Sequence, residues 1–308
     1  MKNKLHISVS PHIRAKRTTR GIMLDVIIAL LPAAIAGVII FGLNALIVIG
    51  VCVATAVLSE ALFNLAVKKE QTIGDLSCIV TGLIIALNLP ANIPLWQAVV
   101  GTVFAIIVVK ALFGGLGNNV VNPAVSARVF MLVAFGSMAQ TATPVGLDAV
   151  SGATPLSSIA GGTNPDLVEL LLGNYGGSIG ETCKIALLIG GAYLLARKVI
   201  TWHIPVAFIG STFLLSLIVE DFNVITALAW VLSGGLILGA IFMATDYVTS
   251  PSTPFGKIVF GIGAGIITVL IRFWGVYPEG VSFGILLMNI LNPFIGSLTA
   301  RKLFGGKK

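Results

Sequence analysis

The sequence predicts an all-α membrane protein with about ten transmembrane helices, and three observations support this prediction. Of its 308 residues, 56% are hydrophobic and only 10% are charged, which is too little polar surface for a soluble globule of this size. Apolar runs long enough to cross a ~30 Å hydrocarbon layer follow one another along the chain. The basic residues cluster between these runs, as they do in membrane proteins of fixed topology.

Composition also argues against two other classes of protein. The formal charge of +7 does not indicate a nucleic-acid partner, because the basic residues stand in short clusters between apolar runs and at the two ends. Cys52, Cys78 and Cys183 lie singly in apolar runs, and three histidines are too few to complete a metal or iron–sulfur site with them. The basic first twenty residues do not fit a cleavable signal peptide. We therefore expect neither bound nucleic acid nor a metal held by this chain.

Ten apolar runs are predicted as spans. The third and fifth are short and border Asn88-Leu89-Pro90 and Asn122-Pro123, so broken or half-spanning helices are the alternative there. The predicted spans are 22–42, 45–67, 76–90, 96–113, 123–138, 180–196, 204–219, 224–243, 257–274 and 280–299.

The charges predict that both ends of the chain are cytoplasmic. Threading the ten spans from a cytoplasmic N-terminal arm puts fifteen of the nineteen Lys and Arg residues inside, and only Lys184 and Arg272 border outer gaps. Lys110 and Arg128 flank the inner gap at 114–122. The predicted regions are a cytoplasmic arm (1–21), a first five-helix unit (22–138), an outer loop (139–179), a second five-helix unit (180–299) and a basic cytoplasmic tail (300–308).

The outer loop, 139–179, contains a cluster of small and hydroxyl-bearing residues. Gly152 and Ala153 leave room beside the backbone for a bulky group, and Pro155 stiffens the exit from the cluster. Thr154 offers an attachment oxygen with no Lys or Arg within twenty residues on either side. Many ordinary surface loops share this composition, so the residues alone leave both interpretations open.

The two halves of the chain resemble each other weakly. Gly82-Leu83-Ile84-Ile85 recurs as Gly235-Leu236-Ile237-Leu238, and each half closes on Asn-Pro, at 122–123 and 292–293. A repeat of five spans must invert in the membrane, because an odd number of crossings reverses the second copy. Chance recurrence of short apolar words in so biased a composition is the alternative.

Three further stretches have more glycine and polar residues than a lipid-facing helix needs. Gly114–Pro123 combines glycines with asparagines, whose backbone and side-chain amides suit a polar ring or a phosphate. Met243–Pro251 places Asp246 beside an apolar span, where an acid is costly unless it has a role; a solvated loop acid is the alternative. In the third stretch, Tyr277–Asn289, most side chains are expected only to pack.

Five motifs in a fixed order carry a family resemblance. They are Ser10-Pro11-His12 with Thr19–Asp25, Gly-Gly-Leu-Gly-Asn-Asn…Asn-Pro-Ala from residue 114, the Ser-Gly-Ala-Thr loop, Met-Ala-Thr-Asp…Thr-Ser-Pro from residue 243, and Tyr-Pro-Glu-Gly…Leu-Leu-Met-Asn from residue 277. From residue 8 to about 299 the chain resembles the D subunits of the Rnf electron-transport complex. It is similar also to the B subunit of the Na⁺-translocating NADH:quinone reductase, which generally has an N-terminal extension not found here, so the Rnf resemblance is favoured.

The resemblance implies ten helices in two inverted five-helix repeats, like the urea-transporter body, and an FMN joined through its phosphate to a threonine of the outer loop. The positions that match the attachment pattern, with Thr154 as the attachment point, are Asp148, Ser151, Gly152, Ala153 and Thr154. Ala149 stands where a glycine is common in the family. The flavin transferase that modifies such loops works outside the cytoplasm, which agrees with the position that the charges predict for this loop.

The resemblance also implies a second, non-covalent flavin such as riboflavin near the inner side. The candidate residues for it are Asn118, Asn119, Asn122 and Arg128. The implied function is that of a membrane subunit, inactive by itself, of an ion-translocating ferredoxin:NAD⁺ oxidoreductase in the cell membrane of a bacterium or archaeon. The implied partners are the flavin transferase and the other Rnf subunits, which handle ferredoxin and NAD and carry iron–sulfur clusters and a further flavin.

A channel or secondary transporter for a small polar solute is the alternative function, because inverted repeats with broken helices commonly form substrate paths. The outer loop separates the two functions, since a solute channel has no use for an attachment threonine. The sequence does not choose between Na⁺ and H⁺ as the transported ion. The candidate acids for an ion path, each with an ordinary topological explanation, are Asp25, Glu60, Asp75 and Asp246.

Overall fold

A computed structural model describes residues 17–136, 142, 144, 155–162, 166–173, 175–275 and 279–300. Over these ranges the chain is helical, and its only extended pairing is an isolated bridge between Ala142 and Gly177. The helices are α1 (Thr19–Phe41), α2 (Leu43–Ala66), α3 (Ser77–Leu87), α4 (Leu95–Val103), α5 (Pro123–Ala134), α6 (Pro155–Ala160), α7 (Leu167–Leu172), α8 (Lys184–Ala196), α9 (His203–Val219), α10 (Val224–Leu232), α11 (Leu236–Leu238), α12 (Pro254–Trp274) and α13 (Val281–Thr299).

Each of the ten predicted spans contains at least one of these helices. Four helices, α1, α2, α12 and α13, are long and apolar enough to cross a membrane by themselves. The predicted span 224–243 is instead a broken pair, α10 and α11 with its continuation, bent by 65°. The other predicted spans contain apolar helices of 10–17 residues. The chain is therefore an all-α, multi-pass membrane protein.

Two helices continue as π-helical stretches. Helix α4 runs on through Phe104–Ala111, and α11 runs on through Gly239–Met243. Wide turns of this kind are uncommon and occur frequently at functional sites. Both stretches lead directly into segments without regular structure, 112–122 and 244–253, that carry the polar motifs found in the sequence.

Local chemistry explains several helix ends. Asn122 caps α5 through its side-chain oxygen, which accepts from the backbone N–H groups of Ala124 and Val125, and Pro123 occupies the first turn. The second Asn-Pro pair is not equivalent, because Pro293 lies inside α13. The two Asn-Pro motifs therefore do not mark corresponding helix ends in the two halves.

Small residues bring helices into close contact. A Cβ atom built on Gly190 of α8 would overlap the carbonyl oxygen of Ala29 in α1. In the same way, a Cβ on Gly261 of α12 would lie 3.0 Å from the carbonyl oxygen of Ile204 in α9. Without water to drive helix association in the hydrocarbon layer, such close backbone approach provides much of the packing energy.

The interrupted helices meet inside the bundle. Helix α3 ends at Leu87, and the side-chain amide of Asn88 donates to the carbonyl oxygen of Ile84 at 2.7 Å and to the sulfur of Met243 at 3.5 Å. Met243 is the last residue of the second π-helical stretch. The end of α3 in the first half of the chain is thus in contact with the end of the second π-helical stretch, and buried polar clusters lie nearby.

Candidate functional site

The residues predicted to carry covalent flavin, Asp148, Ser151, Gly152, Ala153 and Thr154, lie outside the described residues. The structure does describe the helix directly after them. Helix α6 begins at Pro155, next to the predicted attachment threonine, and packs through Leu156 and Ile159 against Ala229 and Trp230 of α10. The C-terminal side of the attachment pattern is therefore fixed to the bundle.

A cavity of about 100 Å³ lies beside the 112–122 segment, and we call it the Asn119 cavity. Its lining combines apolar walls with polar groups from both halves of the chain. The residues that define it here are Val26, Ile84, Lys110, Asn119, Asn122, Phe242, Thr245 and Asp246. It joins the two glycine- and polar-rich stretches, 114–123 and 243–251, that the sequence singled out separately.

The three predicted asparagines have different surroundings. Asn119 is 9% exposed, lines the cavity, and its side-chain oxygen has no hydrogen-bond partner. Asn122 also lines the cavity, but its amide is occupied, because it caps α5 and donates to the carbonyl oxygen of Met243 at 3.1 Å. Asn118 is exposed and is not part of the lining. Of the three, Asn119 is thus the one that lines the cavity with an unpartnered side-chain oxygen.

Asp246 places an acid in the wall of the same cavity, within the 244–253 segment that separates two helices. Burial raises the pKa of its carboxyl group above the ordinary value, and hydrogen bonds from the Thr249 hydroxyl and from backbone N–H groups oppose this rise. The cavity therefore contains a carboxyl group that takes up a proton more readily than a solvated aspartate.

Arg128 lies in a different place from the asparagines. Its Nη2 atom is 2.5 Å from Glu279 Oε2 and 4.0 Å from Glu181 Oε1, and Nη1 donates to the carbonyl oxygen of Asn88. Six residues of helix separate Asn122 from Arg128, a rise of ~9 Å. The structure therefore brings Asn119 and Asn122 together at the cavity and assigns Arg128 to a separate cluster.

We call this cluster the arginine–glutamate cluster. Besides Arg128, Glu181 and Glu279 it contains Lys184 and Arg272, whose positive groups point at backbone carbonyls of the α10–α11 break. The Lys184 amine donates to Gly234 O at 2.7 Å, and Arg272 donates to Trp230 O at 2.6 Å and to Ser233 O at 3.1 Å. All five members are less than 10% exposed.

A second buried ion pair lies at the start of α3. Lys110 Nζ is 2.6 Å from Glu60 Oε2 and donates to the Ser77 hydroxyl at 2.7 Å. Ser77 in turn donates to Asp75 Oδ1 at 2.6 Å, and the Thr72 hydroxyl donates to Glu60. Glu60 and Asp75, two candidate acids of the sequence analysis, are therefore members of one hydrogen-bonded network with a cation.

Sequence reasoning missed most of the arginine–glutamate cluster. The positive-inside rule explains Lys184 and Arg272 by topology alone, and no local motif points to Glu181. The members of the cluster are far apart in the sequence, so the sequence does not show that they meet; Arg128 and Glu279, for example, are 151 residues apart. A charged residue inside an apolar span was the available signal, because such residues almost always have a buried partner.

Comparison with known proteins gives the chain a family. The sequence matches the NQR2, RnfD, RnfE family over residues 6–305. The chain belongs to this family. Within it, the chain is 45% identical to the D subunit of the Na⁺-translocating ferredoxin:NAD⁺ oxidoreductase complex of Acetobacterium woodii, over 99% of the chain and 96% of the relative.

Two further relatives place the chain among the D subunits of the family. It is 39% identical to the D subunit of the proton-translocating ferredoxin:NAD⁺ oxidoreductase complex of Clostridium ljungdahlii, over 100% of the chain and 98% of the relative. It is 35% identical to the D subunit of the ion-translocating oxidoreductase complex of Alcanivorax borkumensis, over 97% of the chain and 96% of the relative. The resemblance to Rnf D subunits seen in the motifs is thereby confirmed.

Proposed function

We propose that the chain is the D subunit, a membrane component, of an ion-translocating ferredoxin:NAD⁺ oxidoreductase of the Rnf type, and that it relays electrons coupled to the transport of Na⁺ or H⁺. The observation that carries this proposal is similarity along the whole chain, at 45% identity, to a relative with that name. The relatives do not decide which ion is transported, since one is named for Na⁺ and another for protons.

In this function Thr154 carries FMN through a phosphoester to its hydroxyl, in the pattern formed with Asp148, Ser151, Gly152 and Ala153. FMN supplies a carrier that accepts and passes on one or two electrons. The anchoring of α6 supports the proposal, because Leu156, two residues after Thr154, is 4% exposed and packs on α10. The attachment residue of such a flavin is therefore followed at once by a helix packed on the bundle, and not by a long flexible segment.

A second flavin, riboflavin, is proposed for the Asn119 cavity. The unpartnered oxygen of Asn119 and the carboxyl group of Asp246 suit the polar edge of the ring system, and Val26, Ile84 and Phe242 supply apolar walls. At about 100 Å³ the cavity is smaller than the ~300–1,000 Å³ of ordinary cofactor pockets. A cavity of this size would hold only part of the flavin ring system, and the rest of the ring would lie outside the cavity.

The proposed topology has ten spans in two inverted repeats, both termini in the cytoplasm and the flavin loop outside. Contacts near the N-terminus support part of it: Arg17 donates to the carbonyl oxygens of Arg197 at 2.6 Å and of Lys198 at 3.2 Å. The end of the basic arm and the 197–203 gap, which the charges put on the same side, are thus in contact. The repeat is supported by the contact between Asn88, at the end of α3 in the first half, and Met243, at the end of the π-helical stretch in the second.

The partners in this proposal are the flavin transferase and the other Rnf subunits, which bind ferredoxin and NAD and carry the iron–sulfur clusters. This chain supplies no such cluster from the residues described, where no group of three or more His, Cys, Asp or Glu side chains converges. Electrons that cross a layer of ~30 Å need intermediate centres, so the chain works only within the assembly.

The Thr154→Ala variant tests the proposal. In the complex produced together with its flavin transferase, the wild-type band should fluoresce on a denaturing gel and the Thr154→Ala band should not. Ferredoxin-dependent NAD⁺ reduction and ion uptake in inverted vesicles should be lost with the flavin. Ser151→Ala is the matched control, and it should weaken attachment without abolishing it. Normal electron transfer and ion uptake in an assembled, flavin-free Thr154→Ala complex would exclude the redox role and favour a solute transporter.

A further inference from the structure

The arginine–glutamate cluster buries two acids among three cations. Three cations, Arg128, Lys184 and Arg272, face two acids, Glu181 and Glu279, and all five side chains are buried. With every group ionised the cations are in excess and favour ionised acids, whereas burial and the repulsion between two neighbouring carboxylates favour a proton on one of them. Arginine does not deprotonate in proteins, so a proton can exchange only at the two acids or at Lys184.

The two acids lie against each other. A Cβ atom built on Gly235 would be 2.8 Å from Glu279 Oε1 and 3.0 Å from Glu181 Oε1, so both carboxyl groups face the same glycine in the α10–α11 break. The two carboxyl groups therefore approach each other beside this glycine. A carboxylate only accepts hydrogen bonds, so two carboxyl groups can bond to each other only when one of them holds a proton.

We propose that Glu181 and Glu279 form a proton-binding site in which one proton is held between the two carboxyl groups. The distances from Arg128 indicate where the proton resides. The Nη2 atom is 2.5 Å from Glu279 and 4.0 Å from Glu181, so Glu279 is the ionised partner and Glu181 carries the proton.

The groups around the pair act on this proton in opposite directions. Burial and the neighbouring Glu279 charge favour the protonated form of Glu181, whereas Arg128 and Lys184 favour the ionised form. Arg272 adds positive charge from α12. Tyr175 is a neutral neighbour of the pair, and its hydroxyl donates to the backbone carbonyl oxygens of Glu181 and Thr182. Cys183, adjacent in sequence to Lys184, is a further titratable group nearby among the residues that the structure describes. The pair is therefore poised to exchange its proton.

Other buried polar atoms near the pair lack a hydrogen-bond partner in the part of the chain that the structure describes. Glu181 Oε1, the Thr182 hydroxyl and the Ser233 hydroxyl are buried without a hydrogen-bond partner. Buried polar atoms of this kind are ordinarily satisfied by a hydrogen-bond partner, so these hydroxyls are suited to exchange hydrogen bonds with the pair. Thr182 flanks Glu181 in the chain, and Ser233 belongs to the break whose Gly234 carbonyl binds Lys184.

The link between this site and electron transfer rests on the proposed function. Adding an electron nearby makes the local charge more negative, which favours uptake of a proton by the pair. Binding of the proton itself does not depend on the redox role, so the two can be tested separately.

The site is tested by infrared difference spectroscopy of the purified complex between low and high pH, in H₂O and in D₂O. This measurement needs no electron transfer. We expect a carbonyl band of a protonated carboxylic acid that titrates with pH and shifts in D₂O. Glu181→Gln should abolish it, because glutamine has no acid carbonyl. The matched control is Glu169→Gln, an exposed acid of α7, which should leave the band unchanged.

Two further variants keep the test decisive if Glu181→Gln does not assemble. Lys184→Met removes a cation, so the band should persist and its midpoint should move to higher pH by about one to two units. Glu279→Gln removes the second carboxylate, so the midpoint should move to lower pH. The proposal would be overturned if the wild type showed no titrating carboxylic-acid band. It would also be overturned if the band persisted with an unchanged midpoint in all three variants.

A reduced-minus-oxidised infrared spectrum then tests the link. A change of the same band on reduction, lost in Glu181→Gln, would connect the site to electron transfer. No change on reduction, in a complex whose pH-dependent band is intact, would overturn the link while leaving the proton site in place. A wild-type complex that shows the pH-dependent band but transfers no electrons would instead count against the proposed function.

Discussion

Arg128 and Glu279, 151 residues apart in the sequence, form a buried ion pair with an Nη2–Oε2 distance of 2.5 Å. Arg128 belongs to α5 in the first half of the chain, and Glu279 lies two residues before the start of α13 in the second. Arg128 also donates to the carbonyl oxygen of Asn88, at the end of the interrupted helix α3. The Arg128 guanidinium group therefore links the C-terminal end of α3, in the first half of the chain, to Glu279 in the second half.

Breaking this pair on one side should strongly destabilise the protein. Arg128→Met leaves Glu279 buried without its nearest cation and leaves the carbonyl of Asn88 without this donor. Removing one partner of a buried pair typically costs about 3–5 kcal/mol. We expect a marked fall in the melting temperature of the detergent-solubilised protein, with Arg128→Met plus Glu279→Leu recovering part of the loss.

The exposed pair Arg197–Asp25 provides the control. Its Nη2–Oδ1 distance is 3.3 Å, but the Arg197 side chain is 58% exposed. Water and salt screen such a pair, so Arg197→Gln should cost less than ~1 kcal/mol. Equal losses in the buried and exposed variants would contradict the structural role given to Arg128.

Gly190 should be intolerant of any side chain. A Cβ atom there would overlap the carbonyl oxygen of Ala29 and lie 3.0 Å from Phe242, so α1 and α8 would have to separate. Gly190→Ala should cost about 1–3 kcal/mol, as overpacking does elsewhere. Gly210→Ala in α9 is the control, because nothing lies within 4 Å of its Cβ position. That variant should be neutral or gain up to ~1 kcal/mol from helix propensity. Similar melting temperatures for the two variants would refute the close α1–α8 contact.

Asn119 should be required for the non-covalent flavin and dispensable for folding. Its side-chain oxygen has no partner in the protein, so Asn119→Leu breaks no hydrogen bond through that oxygen. Loss of one hydrogen bond to the ligand should weaken riboflavin binding about five- to tenfold. The measurement is flavin released by acid from the purified complex, with covalent FMN unchanged. Asn118→Ala, at an exposed position, should release the wild-type amount. Full riboflavin occupancy in Asn119→Leu would exclude this cavity as the site.

Much of the fold was predictable because hydropathy needs no long-range information. Apolar runs alone located helices in all ten predicted spans, and the predicted start of the fifth span, at 123, is also the first residue of α5. Hydropathy could not predict the 65° break between α10 and α11, because Ser233, Gly234 and Gly235 leave the run apolar overall. The short helices α6 and α7 in the outer loop were also missed, since each has only six residues.

The candidate site was less predictable, for a physical reason. Asn119 and Asn122 stand close in sequence and share one cavity, so a local motif sufficed to find them. The arginine–glutamate cluster is assembled from five distant positions, and the positive-inside rule gives Lys184 and Arg272 a topological explanation that hides their buried contacts. Only tertiary packing shows that these charges never reach solvent.

The last prediction concerns the sidedness of the membrane. Fifteen of the nineteen basic residues are predicted inside and two border outer gaps, so the 139–179 loop should be extracytoplasmic and the 68–75 gap cytoplasmic. Ser157 and Gln71 are exposed positions in these two segments and suit cysteine labelling.

The labelling needs a background without the native cysteines. Cys52 and Cys78 are buried and Cys183 is half-buried, so replacing them by alanine removes competing thiols. A charged, membrane-impermeant thiol reagent should label Ser157→Cys in intact cells, whereas Gln71→Cys should react only after permeabilisation. The reverse pattern would mean that the threading is wrong by one span. A cytoplasmic loop would be out of reach of a transferase that works outside the cytoplasm, and the assignment of covalent flavin to Thr154 would fail with the topology.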